Sequence, residues 1–227
     1  MSNVQNPKSN VPLCIETICV RNGKLQNLDA HQERFDRTRL GLWGQDAPIL
    51  LEQAIILPTW LLPDQTYKCR VTYGLAVEKI EFEKYPVRPV RSLCLVDCGD
   101  LDYRYKYADR TALNALFAQR GRADDVLLVR DGLLTDTSYA NVALFDGTRW
   151  HTPAHPLLEG TQRARLLHEG RLHLADIRVQ DLPTFACVRL LNAMLDWEQT
   201  ESIPISAVIG WDGPTHRGPT GRGPTGR

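Results

Sequence analysis

Three short apolar segments between residues 125 and 145 constrain the fold more than any other feature of the chain. They span residues 125–130, 133–137 and 141–145; Asp131-Gly132 joins the first two, and Asp146-Gly147 follows the third. Asp-Gly pairs are typical of tight turns between antiparallel strands, because both residues tolerate a positive φ. The sequence therefore predicts a sheet built from hairpins in the second half of the chain.

The first part of the chain predicts a smaller α+β unit. Residues 13–20 are strand-like, and Asn22-Gly23 favours a hairpin into a second short strand. Asp29 is expected to cap a helix over residues 30–40, which Gly41 would end. A helix over 49–57 and strands over 67–73 and 77–85 would complete the unit.

The chain divides at a stiff, proline-containing segment around residues 86–91, because each proline fixes φ and restricts the residue before it. The second unit adds a strand over 92–97, helices over 111–119 and 161–168, and a strand over 187–191. The predicted organisation is an N-terminal tail (1–12), a small α+β domain (13–87), a linker (88–91), a larger mixed-sheet domain (92–210) and a Gly/Pro/Thr/Arg tail (211–227). We expect that last tail to be disordered, since it holds almost nothing to bury.

Composition narrows the class of protein. The chain has 43% apolar residues, enough for a hydrophobic core, and its 27 Lys+Arg balance its 27 Asp+Glu. Such a balance gives no broad field to attract nucleic acid or an anionic membrane. Residues 48–62 form the most apolar run, yet polar residues and Pro58 interrupt it. Six cysteines without CxxC spacing favour a reduced, cytoplasmic protein without a metal.

Lys106 is the candidate catalytic residue, although a lysine in a polar stretch is ordinarily a solvated surface group. The motifs around it change this expectation. They are His31-Gln32-Glu33-Arg34, Arg110 four residues after Lys106, Thr135-Asp136 through Asn141, Thr152-Pro153 through Gly160-Thr161-Gln162-Arg163, and Asn192-Ala193-Met194.

In this order and spacing, the motifs resemble the fold-type IV enzymes that use pyridoxal 5'-phosphate (PLP). This group includes branched-chain aminotransferases, D-amino-acid aminotransferases and aminodeoxychorismate lyases. The resemblance covers residues 13–205 and implies a two-domain α+β fold, a PLP cofactor, a small amino-acid or amine substrate and a homodimer. The N-terminal segment that usually precedes Ile15-Glu16 is short here, so substrate identity does not carry over.

The resemblance assigns the reactive groups of the site. Lys106 matches the lysine that forms a Schiff base with PLP, and its freed amine can move a proton. Asp136 stands where most relatives have glutamate and would face the ring nitrogen, so that the ring can accept electrons. Arg34 matches the arginine that holds the phosphate, since a guanidinium can donate two parallel hydrogen bonds.

The remaining cofactor contacts are expected around the phosphate and behind Asp136. Thr161 and Gln162 begin a helix whose free N–H groups suit an anion. Asn192 and Ala193 match a second phosphate-contacting turn, and Asn141 would support Asp136. Tyr103, Tyr105 and Arg110 either contact the cofactor and substrate or are ordinary packing and surface groups.

The residues allow two other kinds of site. Asp136, Ser138 and His151 could form a hydrolase triad, but no Gly-x-Ser-x-Gly elbow surrounds the serine. His151 and His155 could bind a metal, but no third ligand is near in sequence.

Three functions remain open. The sequence favours an aminotransferase, then an aminodeoxychorismate lyase-like enzyme, and then a non-catalytic protein that keeps the fold and binds the cofactor. Amino transfer and elimination both begin with loss of the α-proton, so the residues do not separate them.

Overall fold

Four strands form an antiparallel first sheet in the computed structural model, which describes residues 11–210. The strands are β1 (Cys14–Arg21), β2 (Lys24–Leu25), β3 (Tyr67–Tyr73) and β4 (Val77–Lys84). Their order is β2-β1-β3-β4, and β1 pairs with β3 over seven residues. The predicted hairpin is confirmed, because Asn22 and Gly23 have φ of 52° and 66° between β1 and β2.

One long helix, α1 (Leu28–Trp43), packs on this sheet and departs from its predicted ends. Asn27, in the left-handed region, occupies the N-cap position, so Asp29 lies in the first turn instead. The helix passes through Gly41 and ends at Gly44, whose φ of 64° suits a C-cap. Gly41 allows Tyr105 to approach the helix closely, because a Cβ there would lie 2.6 Å from the Tyr105 hydroxyl. The second predicted helix is a single turn, α2 (Leu51–Ala54).

Nine strands form the second sheet, which is mixed as predicted. They are β5 (Leu93–Asp97), β6 (Asp125–Arg130), β7 (Leu133–Thr137), β8 (Asn141–Phe145), β9 (Trp150–Pro153), β10 (His173–Ala175), β11 (Cys187–Leu191), β12 (Ile203–Pro204) and β13 (Val208–Ile209). The strands β6, β7 and β8 are antiparallel, as the Asp-Gly pattern predicts.

Parallel pairs break the hairpin pattern on both sides of these three strands. The strand β5 pairs in parallel with β6, and β9 with β10. A parallel pair needs a crossover connection, which the helices α3 (Thr111–Phe117) and α4 (Thr161–His168) supply. Helix α4 has the bounds predicted from the sequence, and its first turn lies at the candidate site.

The two sheets have separate apolar cores. Phe35 of α1 packs with Ile18 and Tyr73 under the first sheet, whereas Leu127, Leu134 and other aliphatic side chains fill the second. All six cysteines are free thiols, and four of them are buried. Between residues 11 and 210, no helix is long and apolar enough to cross a membrane. The predicted tail at 211–227 and most of the tail at 1–12 lie outside the described residues.

Candidate active site

A cavity of about 250 Å3 lies between the two sheets and collects most of the predicted site residues. Its volume is slightly below the usual range for small-molecule pockets, about 300–1,000 Å3. The first sheet contributes side chains from β1 and β3, and the second contributes residues 136–141 and the start of α4. Seven predicted residues line it: Arg34, Lys106, Asp136, Asn141, Thr161, Asn192 and Ala193. Gln162 does not; its side-chain oxygen accepts from Arg165 instead.

Lys106 stands in a backbone conformation that few residues other than glycine adopt, with φ of 51°. Its carbonyl accepts a 3.1 Å hydrogen bond from the N–H of Ile15, and its own N–H donates to the Tyr103 carbonyl. The neighbouring Ala108 N–H donates to the carbonyl of Leu13. Bonds to the start of β1 therefore hold this loop and fix Lys106 at the cavity wall.

The surroundings of Lys106 favour an uncharged amine. Burial and the positive charge of Arg34 lower its pKa from 10.5 to about 7, and Arg110 acts in the same direction. The carboxylates of Glu16 and Asp136 oppose this shift. A substantial fraction of Lys106 is consequently unprotonated at neutral pH, as a nucleophilic amine requires.

Asp136 is a buried carboxyl group with two fixed donors. The Asn141 side-chain amide donates to Oδ1 at 2.7 Å, and the backbone N–H of Leu158 donates to Oδ2 at 2.9 Å. Burial nevertheless raises the pKa of Asp136 to about 6, because these bonds only partly offset the loss of water. The Asp136 carboxyl group is therefore held in one orientation, and a nearby cation would lower its pKa.

Asn141 itself is held by close packing against the loop before α4. Its amide also donates to the Leu158 carbonyl at 2.7 Å. A Cβ at Gly160 would overlap the Asn141 side chain, so this close approach requires glycine. Asn141 thus joins Asp136 to the segment that begins α4.

Arg34 lies in a fully buried network that the sequence did not predict. Its Nε and Nη2 donate to the two oxygens of Glu16 at 2.9 and 2.5 Å. Burial would raise the pKa of Glu16, but Arg34 and His31 outweigh it and lower the pKa to about 2. Two of the guanidinium nitrogens are thus committed to Glu16, and Nη1, 3.5 Å from the Glu159 carbonyl, is the least occupied.

The same network reaches the first residue of α4. His31 Nδ1 donates to Glu16 at 2.6 Å, and burial lowers the pKa of His31. Because the imidazole is then neutral, its Nε2 accepts from the Thr161 hydroxyl at 3.3 Å. The Thr161 hydroxyl therefore faces His31, and the first N–H groups of α4, like those of any helix, have no partner within the helix.

Sequence reasoning missed the contribution of the first sheet to the cavity. Thr17 of β1 and Lys68 and Arg70 of β3 line it, as does Tyr85 after β4. The alternation in β3 could have indicated the residues of that strand. Its odd-numbered residues are buried, and its even-numbered residues, which include Lys68 and Arg70, are only partly buried. Tyr103 and Arg110, left open between two roles, both line the cavity.

The competing sites do not assemble. Ser138 Oγ donates to Asp125 at 3.1 Å, and His151 bonds to Asp146 at 2.7 Å, so neither is available to Asp136 as a triad. Across the described residues, no group of three or more His, Cys, Asp or Glu side chains could hold a metal ion.

Comparison with known proteins gives consistent matches. The model of the family described as amino-transferase class IV matches residues 75–203. An uncharacterized protein of Haemophilus influenzae is 38% identical over 181 residues, which cover 79% of this chain and 96% of the relative. The crystal structure of a candidate 4-amino-4-deoxychorismate lyase from Haemophilus somnus 129pt is 32% identical with a TM-score of 0.77, and the match covers 82% of this chain and 97% of that one.

A more distant structure agrees in fold. A hypothetical aminotransferase of Mycobacterium tuberculosis, solved with alpha-ketoglutarate and PMP bound, has a TM-score of 0.70 at 20% identity, covering 86% of this chain and 81% of that one. The family match itself spans more than half of the chain. The chain therefore belongs to the amino-transferase class IV family of PLP-dependent enzymes.

Proposed function

We propose that this protein binds PLP at Lys106 and transfers the amino group of a small amino acid or amine. The observation that carries the proposal is the meeting, in one cavity, of an amine with a lowered pKa, an oriented buried carboxyl group and an arginine beside a helix start. These groups come from distant parts of the chain. A purely structural role would not require all of them in one cavity.

The donor set fits the chemical groups of PLP. Its aldehyde needs an amine, its ring nitrogen a carboxylate and its phosphate a cluster of N–H donors, for which Lys106, Asp136 and Arg34 with the start of α4 are the candidates. When bound, PLP supplies an electron-accepting ring that stabilises charge at the α-carbon of the substrate. The limited free donors of Arg34 suggest that backbone N–H groups hold much of the phosphate.

Lys106 is the better of the two amines that line the cavity. Lys68 Nζ is already bonded to the Glu83 carboxylate. Lys106 has no such ion pair among residues 11–210, and its lowered pKa leaves a free amine at neutral pH. The same amine, once released from the aldehyde, can take a proton from the α-carbon of the substrate.

Asp136 would keep a proton on the ring nitrogen. A cation beside this carboxyl group favours its charged form and would lower a pKa that burial alone raises to about 6. Asn141 and the Leu158 N–H hold both oxygens, so the carboxylate needs little reorganisation when charge develops.

A half-reaction tests the proposed activity. The PLP-loaded protein is mixed with a panel of L- and D-amino acids and simple amines, and the absorbance of the cofactor is followed. Conversion of the aldehyde form to the amine form by at least one member supports amino transfer. A protein that binds PLP but leaves its spectrum unchanged with every amine would favour the non-catalytic alternative.

An aminodeoxychorismate lyase-like activity is the second candidate, favoured by the similarity to the Haemophilus somnus protein. Elimination leaves the cofactor in its aldehyde form, whereas the first half of amino transfer leaves it in its amine form. Incubation with 4-amino-4-deoxychorismate, with both the spectrum and the products followed, therefore separates the two reactions.

We also propose that the protein is a cytoplasmic homodimer. Free cysteines are typical of a reducing compartment, and the near-zero net charge gives no long-range repulsion between copies. Sedimentation at micromolar concentration should show a dimer, and a species of monomer mass alone would contradict this assembly.

A further inference from the structure

Arg163 is a buried cation whose hydrogen-bond partners are neutral. It is the third residue of α4, and only 6% of its surface is exposed. Its Nε donates to the Thr152 hydroxyl at 3.3 Å, and its Nη2 donates to the Pro153 carbonyl at 2.8 Å. Among residues 11–210, it forms no ion pair with a carboxylate. Since a guanidinium stays charged at any ordinary pH, a full positive charge lies inside this domain.

Two contacts place Arg163 behind Asn141. Gly160, which packs against the Asn141 amide, lies one helical turn before Arg163 and therefore on the same side of α4. The Thr152 hydroxyl that accepts from Arg163 also donates to the carbonyl of Val142 at 2.8 Å, next in sequence to Asn141. The guanidinium therefore lies behind the amide that orients the candidate carboxyl group.

Two carboxylates act on the charge of Arg163. Burial lowers the pKa of Arg163, and the negative charges of Asp136 and Glu159 oppose this change. Glu159 is mostly exposed and is paired with Arg37 at 3.0 Å, so water screens its charge. Asp136 is buried; burial raises its pKa to about 6, while its hydrogen bonds and the charge of Arg163 act in the opposite direction. Asp136 is therefore the buried counter-charge of Arg163.

The other groups around Asp136 supply less positive charge. Its two hydrogen-bond donors, the Asn141 amide and the Leu158 N–H, are neutral. Lys106 is the other cation that interacts with Asp136, but burial and a neighbouring arginine lower its pKa to about 7. The Lys106 amine therefore does not hold a full charge at neutral pH. The permanent positive charge near Asp136 is that of Arg163.

We propose that Arg163 is a positioning residue for the reaction, whose charge keeps Asp136 ionised without an ion pair between them. At pH 7, a carboxyl group with a pKa of about 6 is about nine-tenths ionised, whereas one with a pKa of about 7 is only about half ionised. An ionised Asp136 can accept a hydrogen bond from a protonated ring nitrogen, and a neutral carboxyl group does not favour that proton. The inference rests on the proposed function for the identity of the ring, but the charge of Asp136 can be measured without the cofactor.

Carbon-13 NMR of the Asp136 carboxyl group measures this charge. The full-length, cofactor-free protein is labelled at the aspartate carboxyl carbons, and the signal that disappears in Asp136→Asn is followed against pH. The variants are Arg163→Met, Arg163→Gln and Arg163→Lys. Arg165→Met is the matched control, because Arg165 lies on the same helix and pairs with Glu169 at 2.9 Å, away from the carboxyl group. Thermal unfolding checks that each variant is folded.

We expect Asp136 of the wild type to titrate with a midpoint near 6. Arg163→Met and Arg163→Gln should raise the midpoint by about one pH unit, a modest effect for the loss of one opposite charge. Arg163→Lys should keep most of the wild-type value because the charge remains, and Arg165→Met should match the wild type.

Three results would overturn the inference. The first is an unchanged Asp136 midpoint in folded Arg163→Met or Arg163→Gln. The second is a midpoint in Arg163→Lys raised as far as in the charge-free variants, since packing rather than charge would then be responsible. The third is failure of both charge-free variants to fold, which would give Arg163 a purely structural role.

Failure of the proposed function has a different signature. A protein that binds no PLP lacks the absorbance band of the cofactor in every variant, yet the carboxyl titration still supports or overturns the role of Arg163. If the protein is active, the deficit in kcat of Arg163→Met should be largest near about pH 6 and shrink towards about pH 9, where Asp136 ionises without help. A deficit that does not change with pH would overturn the link between Arg163 and the reaction.

Discussion

The Asn141 side-chain amide donates a 2.7 Å hydrogen bond to Asp136 Oδ1, and the two residues face each other where β7 pairs with β8. Gly160 packs against the same amide so closely that a Cβ would overlap it. Gly160, one residue before α4, thus leaves room for the Asn141 amide that orients the Asp136 carboxyl group on β7.

Gly160→Ala should disturb this contact. We expect a loss of about 1–3 kcal/mol in the free energy of unfolding, as for other overpacked sites, together with weaker PLP binding. Gly74→Ala is the matched control, because Gly74 also has an ordinary φ and meets only the flexible ends of Leu13 and Val11. Denaturant unfolding and a PLP titration measure both effects. Equal stability and PLP affinity in the two variants would show that Asn141 can move without cost.

Asp136→Asn should affect turnover more than cofactor binding. A neutral amide cannot stabilise a positive ring nitrogen, so we expect kcat to fall by about 100- to 1,000-fold, as for the loss of one preorganised electrostatic contact. PLP affinity should change much less. Asp131→Asn, in an exposed turn where φ is 52°, is the control. Turnover of Asp136→Asn at the wild-type rate would mean that the ring nitrogen has another partner.

Glu16→Gln should destabilise the fold, because it leaves the buried Arg34 charge without its carboxylate. We expect a loss of about 3–5 kcal/mol at neutral pH, the range for broken buried pairs. Glu33→Gln, on the exposed face of α1, should change stability by less than about 0.5 kcal/mol. Chemical denaturation of the three proteins makes the comparison, and similar values for the two variants would contradict the importance of this network.

The same variant gives a dependence on pH. The pKa of Glu16 is lowered from 4.5 to about 2, so its stabilisation is present above pH 4.5 and is lost as the pH falls through 2. The difference in stability between wild type and Glu16→Gln should therefore shrink between these values. A constant difference down to pH 2 would be inconsistent with an ionised Glu16.

Lys106 should react as a free amine well below the pH at which surface lysines do. Its pKa of about 7 predicts that labelling by acetic anhydride, followed by mass spectrometry, rises with pH around that value. Exposed Lys24 and Lys79 of the same protein serve as internal controls. Arg110→Gln should move the Lys106 midpoint upward, because it removes a nearby positive charge. Labelling of Lys106 in step with the surface lysines would contradict this environment.

Local patterns predicted much of the fold. The Asp-Gly turns, the Asn22-Gly23 hairpin and the bounds of α4 follow from short-range chemistry, and the structure agrees with each. Gly41 does not end α1 but makes room for Tyr105, more than sixty residues away in sequence. No local pattern reports such a contact, which explains the wrong helix end.

The candidate site, like the fold, was predicted only in part. Motif order brought out Lys106, Asp136 and Arg34, which the structure gathers in one cavity. The left-handed backbone of Lys106 is held by contacts with the start of β1, and the pairing of Arg34 with Glu16 joins α1 to β1. Arg70 escaped notice because an alternating strand shows which residues share a face but not what that face meets.

The position of the cofactor bond tests the central claim most directly. The protein is incubated with PLP, reduced with borohydride and digested, and the modified peptide is identified by mass spectrometry. We expect a single adduct on Lys106, and Lys106→Ala should abolish it while Lys24→Ala does not. An adduct on Lys68, the other lysine of the cavity, or the absence of any adduct would contradict the assignment of Lys106 as the residue that binds PLP.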